Sequence, residues 1–181
     1  MRGELRDELS GRRTDASATR ALQAELRGRY RPAQVRLLFI GEAPPASGRF
    51  FYQADSGLYR AFLDSFRAIL PSMAEAEFLR AFQSAGCYLI DVCPYPVDRM
   101  EPHARRAACL ASEPELARQI EELQPQSIAT IVRSIRSHAE RAADRARWQG
   151  PLLDLPYPGR WSRHRDDFLK KLAPELKTLL R

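Results

Sequence analysis

Cysteine is scarce in this sequence: Cys87, Cys93 and Cys109 are the only three in 181 residues. An odd count without a secretory leader argues against a disulfide framework, since Met1 to Arg20 is polar and charged. Long apolar runs are missing too. None approaches the roughly 18 residues a membrane-spanning helix needs, so no membrane is expected and the expected compartment is the cytoplasm. Histidine is equally rare, and His103 and His138 stand at no metal-ligand spacing to any Cys or carboxylate, so no metal site is expected. The chain carries no phosphate loop, dinucleotide-binding glycine motif, serine-hydrolase elbow, internal repeat or low-complexity tract.

What is present fits a soluble globular chain: 44% hydrophobic and 29% charged residues. The net charge is +6, from 29 Lys and Arg against 23 Asp and Glu, and lysine occurs only at Lys170, Lys171 and Lys177. Guanidinium forks match phosphate oxygens. An excess this small is also what a plain solvated surface carries.

Apolar spacing predicts a helix over Ala16–Tyr30, stopped by Pro32. Val35–Ile40 is a short apolar run before a glycine and reads as a buried parallel strand. Further strands are expected at Cys87–Cys93, Ser127–Val132 and Leu152–Leu155. Further helices are expected at Gly57–Leu70, Ala74–Ser84, Glu113–Leu123, Ser134–Trp148 and Ser162–Leu180. Ser112 is the expected cap of the helix at Glu113, with Pro114 in its first turn, and Pro174 is expected to kink or restart the last helix. Arg133, Arg136, Arg141, Arg145 and Arg147 read as a solvated helix face.

This alternation predicts an α/β fold: three layers, α/β/α, around a central, mostly parallel four-stranded sheet. Residues 1–30 read as an N-terminal helical extension, frayed over about the first 15, and 31–181 as the α/β domain. Ligands of such sheets bind beyond the carboxyl ends of the strands. The loops after Ile40, Val92 and Leu155 should therefore converge.

Those loops hold the chemistry. Gly41 permits a tight turn, and Pro44 and Pro45 stiffen it. Glu42 is placed to hold a water or a polar ligand edge, or else is an inert solvated acid. Phe50, Phe51 and Tyr52 follow; a flat ring there can stack on a nucleobase, for about 1–3 kcal/mol per base, or pack under the loop as core. Asp91, ending the second strand, either reads a base edge bearing N–H donors, activates water, or caps the next turn. The last loop, Gly159 to Arg165, is basic with an aromatic inside it, and is equally an exposed helix start. Arg105 and Arg106 are weaker candidates.

IGEAPPASGRFFYQADSGLYRAFL, YLIDVCPYPVDRMEP, ACLASEPELARQIEELQPQSIATI and LPYPGRWSRH, in this order over Val35 to His164, resemble the motifs of the uracil-DNA glycosylase superfamily. They are most similar to those of its iron–sulfur bacterial and archaeal members. The resemblance implies a protein that flips a deaminated or modified base out of DNA and hydrolyses its N-glycosidic bond, in base excision repair. Under it Glu42, Asp91 and His164 are the candidate catalytic residues, His164 being able to swing into the role of a missing family His or equally to contact phosphate. Gly41, Phe51, Tyr52 and Tyr157 would form the base site. Arg160, Trp161, Arg163 and Arg165 would contact DNA, with Trp161 as a wedge.

Three departures are plain. Cys93 and Cys109 match two cluster ligands, but no Cys precedes Cys87. Four thiolates are the usual requirement, so no cofactor is expected. Leu155 stands where the family has a His that stabilises the leaving base. Asp91 stands where the family commonly has Asn. Ala43 stands where the most familiar uracil glycosylases have a water-activating Asp, which the iron–sulfur members also lack. The partner expected is single- or double-stranded DNA, bound by a monomer. The alternative is a non-catalytic nucleic-acid- or nucleotide-binding member of the same fold, and a third reading is an unrelated hydrolase reusing the pocket.

Overall fold

The computed structural model describes residues 17–159 and 162–180. Ala16, the expected frayed N-terminus, Arg160 and Trp161 lie outside the described residues. A helix over 17–29 (α1) leads into four strands: β1 Leu37–Gly41, β2 Cys87–Asp91, β3 Ser127–Thr130 and β4 Leu152–Asp154. All pairings are parallel, in the order β2-β1-β3-β4. β1 is buried at every position. Helices cover both faces of the sheet, which is why its strands read as continuous apolar runs rather than alternating ones.

One face is covered by α2 Gly57–Arg67, α3 Phe78–Ser84 and α6 Ser162–Leu179. Phe39 of β1 meets Phe62 of α2 and Phe82 of α3 at 4.7 and 5.8 Å between ring centres, and Phe168 of α6 packs edge-on against Phe62 at 5.1 Å. Such pairs add about 0.5–1.5 kcal/mol each beyond the area they bury. The opposite layer is α4 Pro102–Leu123 against α5 Arg136–Arg145, giving the three layers expected. Among the described residues no helix is long and apolar enough to cross a membrane.

Two helices differ from expectation. α4 starts at Pro102, eleven residues before Glu113. The stretch Ala104–Ala111 is rich in strong helix formers, so propensity carries the helix through. Ser112 is interior, its hydroxyl donating to the Ala108 carbonyl at 2.9 Å rather than capping. Pro114 costs one backbone bond on the exposed side. Likewise Pro174 is exposed and α6 runs through it unbroken.

Arg141 also departs from the solvated face. Glu113, its side chain 1% exposed, takes His138 Nδ1 at 2.6 Å and Arg141 Nη2 at 2.6 Å, tying α4 to α5. Burial alone would raise the Glu113 carboxyl. The hydrogen bonds from Arg141 and His138 reverse this and hold it below the ordinary carboxylate range.

Tyr52 closes the sheet's edge. β2 is an outer strand, and the Tyr52 hydroxyl donates to the Leu89 carbonyl at 3.1 Å and accepts from the Leu89 N–H at 2.8 Å. Tyr30 stacks on its ring at 5.7 Å. A side chain thus satisfies edge groups that would otherwise recruit another strand.

Glu113→Gln is expected to lower stability by about 1–3 kcal/mol at neutral pH, read from urea midpoints. The folded carboxyl is held low, so its contribution is complete above the unfolded value and fades as pH falls through the folded one. The gap between wild type and variant should therefore close on acidification below the carboxylate range.

Candidate active site at the carboxyl ends of the strands

The parallel register sets Gly41 beside Asp91 at the rim of the sheet. An added Cβ on Gly41 would lie 2.5 Å from Asp91 Oδ1, so only glycine leaves room for that carboxylate. The Asp91 side chain is 9% exposed, and Arg27 Nη2 donates to its Oδ2 at 3.0 Å. The same guanidinium carbon sits 5.4 Å from the centre of the Phe50 ring. Burial pushes the Asp91 carboxyl up. Arg27 opposes the rise, and the charge of nearby Glu42 adds to it.

Glu42 leaves the strand one residue after Gly41. Its backbone carbonyl accepts from the Cys93 N–H at 2.8 Å, which carries the sheet ladder into the loop. Arg105 of α4 grips its carboxylate with two donors, Nε to Oε1 at 2.6 Å and Nη2 to Oε2. This planar fork-to-fork pair is the strong form of such contacts. The hydrogen bond it donates to Glu42 raises the Arg105 guanidinium still further. Two carboxylates therefore share one rim, each held by an arginine from a helix outside the sheet.

Between them opens a cavity of about 480 Å³. Gly41, Leu89 and Asp91 line it from the strands, Glu42 and Arg105 from one side, Phe50 and Phe51 from the aromatic loop, and Ile131 and Val132 from the turn after β3. Ser56 lines it too, and its hydroxyl caps α2 by accepting from the Tyr59 N–H at 3.1 Å. The Asp55 carboxylate accepts from the Phe50 N–H at 2.7 Å, which fixes the loop's aromatic turn. Tyr157, 48% exposed, reaches the cavity from the loop after β4. The order in which strands are added reverses between β1 and β3, and open α/β sheets place ligands at such a point.

The structure thus brings Gly41, Glu42, Phe51, Asp91 and Tyr157 to one cavity. It places the other described candidates elsewhere, Arg160 and Trp161 lying outside the described residues. Tyr52 is 2% exposed and points to the sheet edge, so it does not line the cavity. Arg163, His164 and Arg165 are exposed on the first turn of α6, away from the cavity wall, with Arg165 4.0 Å from Asp64. Phe51 is both wall and core: Tyr52, Phe62 and Phe82 surround its ring at 5.0 to 5.5 Å. Leu155, at the place of the family's His, is fully buried. Arg27 was not anticipated, because nothing local in its helix marks a partner 64 positions away. Arg105 carried only a weak signal, its place near the proline-rich loop.

Residues 28–178 match the uracil DNA glycosylase superfamily. The chain belongs to that superfamily. No curated protein matches it. The cluster of the iron–sulfur members does not fit these residues. Cys93 and Cys109 lie 3.6 Å apart, with the Ser112 hydroxyl 3.7 Å from Cys93, but the third cysteine, Cys87, begins β2 inside the core. Three thiols cannot supply four ligands. Burial, and the neighbouring Cys93, push the Cys109 thiol up to about 12. Among the described residues no group of three His, Cys, Asp or Glu side chains is arranged to hold a metal ion.

Gly41→Ala should force the Asp91 carboxylate off its position. The expected result is a loss of about 1–3 kcal/mol in urea unfolding, with the fold retained by circular dichroism. An unchanged midpoint would mean the carboxylate does not occupy that space.

Proposed function

We propose that this chain excises a deaminated or modified base from DNA by hydrolysing its N-glycosidic bond. The observation that carries the reading is the pair of arginine-held carboxylates, Glu42 and Asp91, on the two sides of one cavity with an aromatic wall. Superfamily membership supplies the reaction class, and the base must leave the helix to reach such a cavity.

In this reading the flipped base enters between Asp91 and the ring wall of Phe50 and Phe51. Ionised Asp91 only accepts hydrogen bonds, so it selects a base edge that presents an N–H or amino group. Glu42, oriented by Arg105, holds a water against C1′ or stabilises the cationic sugar. The water oxygen bonds to C1′ and gives a proton to the Glu42 carboxylate. The C1′–N bond breaks, and the base leaves with that electron pair and takes up a proton. With Leu155 buried, the phenol of Tyr157 is the donor the last loop brings to this cavity among the described residues. Arg163, His164 and Arg165 stand ready for strand contacts on the exposed start of α6.

A second reading has its own observation. Arg105 already satisfies both oxygens of Glu42, and Leu155 offers no donor to the leaving base. A non-catalytic nucleic-acid-binding member of the fold needs neither. The two separate in one experiment. Oligonucleotides carrying uracil, hypoxanthine, xanthine or hydroxymethyluracil are incubated with the protein and then treated with alkali. Strand breaks that fall by about 100-fold in Glu42→Gln support the enzyme. Salt-sensitive binding with no breaks for any base supports the binding module.

The pH profile gives a further expectation. Protonation of Asp91 turns an acceptor-only edge into one that also donates, and burial raises the pH at which this happens. Excision should fall on an acid limb that lies above the ordinary carboxylate range. Asp91→Asn should remove that limb; a limb unchanged in the variant assigns it to another group.

A further inference from the structure

Cys93 and Cys109 are free thiols in contact across two elements that meet around Glu42. Cys93 follows β2, and its N–H donates to the Glu42 carbonyl at 2.8 Å. Cys109 lies on α4, one turn after the Arg105 that holds the Glu42 carboxylate. The chain between the cysteines also carries Asp98, whose carboxylate accepts from the Ala46 N–H at 3.2 Å and pins the loop that follows Glu42. Asp98 and Arg105 thus both sit within the sixteen positions that separate Cys93 from Cys109. Cys109 also lines a second cavity, about 820 Å³, with Met100, Pro102 and Arg105, which gives a small solute a route to its sulfur. Cys93 is fully buried and lines neither this cavity nor the first.

We propose that Cys93 and Cys109 form a reversible disulfide that latches the end of β2 to α4 and closes the segment holding Glu42 in place. Their sulfurs are 3.6 Å apart, and a bond needs about 2.05 Å, a gap that side-chain torsions can close. The oxidant is hydrogen peroxide. The Cys109 sulfur, as thiolate, attacks one peroxide oxygen and the O–O bond breaks; a sulfenic acid forms, and the departing hydroxide leaves as water with the proton the thiol gave up. The Cys93 sulfur then attacks the sulfenic sulfur, the S–S bond forms, the S–O bond breaks, and a second water carries off the Cys93 proton. Two thiols have lost two electrons and two protons, and one peroxide has become two waters. A dithiol reverses the bridge by exchange. The raised Cys109 thiol keeps its thiolate scarce, so the latch sets slowly, under sustained oxidation. The bridge stands without the excision reading; only its effect on a water held by Glu42 rests on that reading.

The test treats the full chain with hydrogen peroxide or with dithiothreitol, unfolds it in an alkylating reagent, and maps the peptides by mass. The oxidised chain should be a monomer lighter by two hydrogens, with Cys93 joined to Cys109 and only Cys87 alkylated. Its thermal midpoint should rise by about 5 °C, because the bridge restricts the unfolded chain. Tryptic cutting after Arg99, exposed between the two cysteines, should slow by about threefold or more in the folded oxidised chain. Dithiothreitol should restore all three properties, and Cys109→Ala should show none of the changes on oxidation. Three alkylated thiols after peroxide, or Cys109 carried to sulfinic acid with no bridge, overturns the proposal. A bridge that leaves both the midpoint and the cutting at Arg99 unchanged overturns the latch. The wild-type peptide map decides the bridge even where the variant does not fold. No excision assay enters, so failure of the proposed function leaves this result intact.

Discussion

A carboxylate buried at the tip of a strand needs a cation, and here the cation comes from α1. Asp91 ends β2 beside Gly41, where no other residue leaves it space, and Arg27 meets it from a helix at the opposite end of the sequence order. Leaving one partner of such a pair unmet typically costs 3–5 kcal/mol, so α1 cannot detach without stranding a charge. The same helix is followed by Tyr30, which stacks on Tyr52, which in turn satisfies the free edge of β2. One ion pair therefore ties together the edge of the sheet, the rim of the cavity and the placement of the N-terminal helix.

Glu42 and Asp91 repel one another across this rim, and that repulsion adds to the rise of the Asp91 carboxyl. The arrangement persists because each acid has its own arginine, and the two differ. Arg27 is a part-buried partner that gives one bond to Asp91, while its Nε is buried without any partner. Arg105 is more exposed and gives two bonds. The Asp91 side is thus rigid and poorly solvated, as suits reading a base edge. The Glu42 side chain is nearly as buried, 12% exposed against 9%, so the two acids differ chiefly in how many bonds their arginines give.

Much of the fold was legible because strands buried on both faces leave uninterrupted apolar runs that end at glycine or an acid. Leu37–Gly41 and Cys87–Asp91 are such runs, and the convergence of their following loops follows from parallel pairing. Gly41, Glu42, Phe51, Asp91 and Tyr157 could be placed together on that ground. Tyr52 could not. Its neighbours Phe50 and Phe51 face the cavity, but the short turn Phe51–Gln53 rotates the next ring away to the edge of β2, and no periodicity governs a three-residue turn. The start of α4 was hidden by Pro114, since a proline in a helix interior is the usual sign of a boundary. Arg27 and the Glu113–His138–Arg141 cluster were invisible for a different reason: each is a pairing at long range, which spacing along the chain does not encode. The chain also contains no asparagine, so the amide that commonly reads the base in this superfamily has no counterpart of its own kind. In the proposed function, Asp91 takes that place.

The most direct measurement is a crystal structure of the chain with DNA containing a deaminated base on a 2′-fluorinated sugar, which resists cleavage. The account predicts the base in the first cavity, its N–H edge on Asp91, its face along Phe50 and Phe51, and C1′ toward Glu42. A base left stacked in the helix, or one seated with Asp91 turned away and still bound only to Arg27, would contradict it.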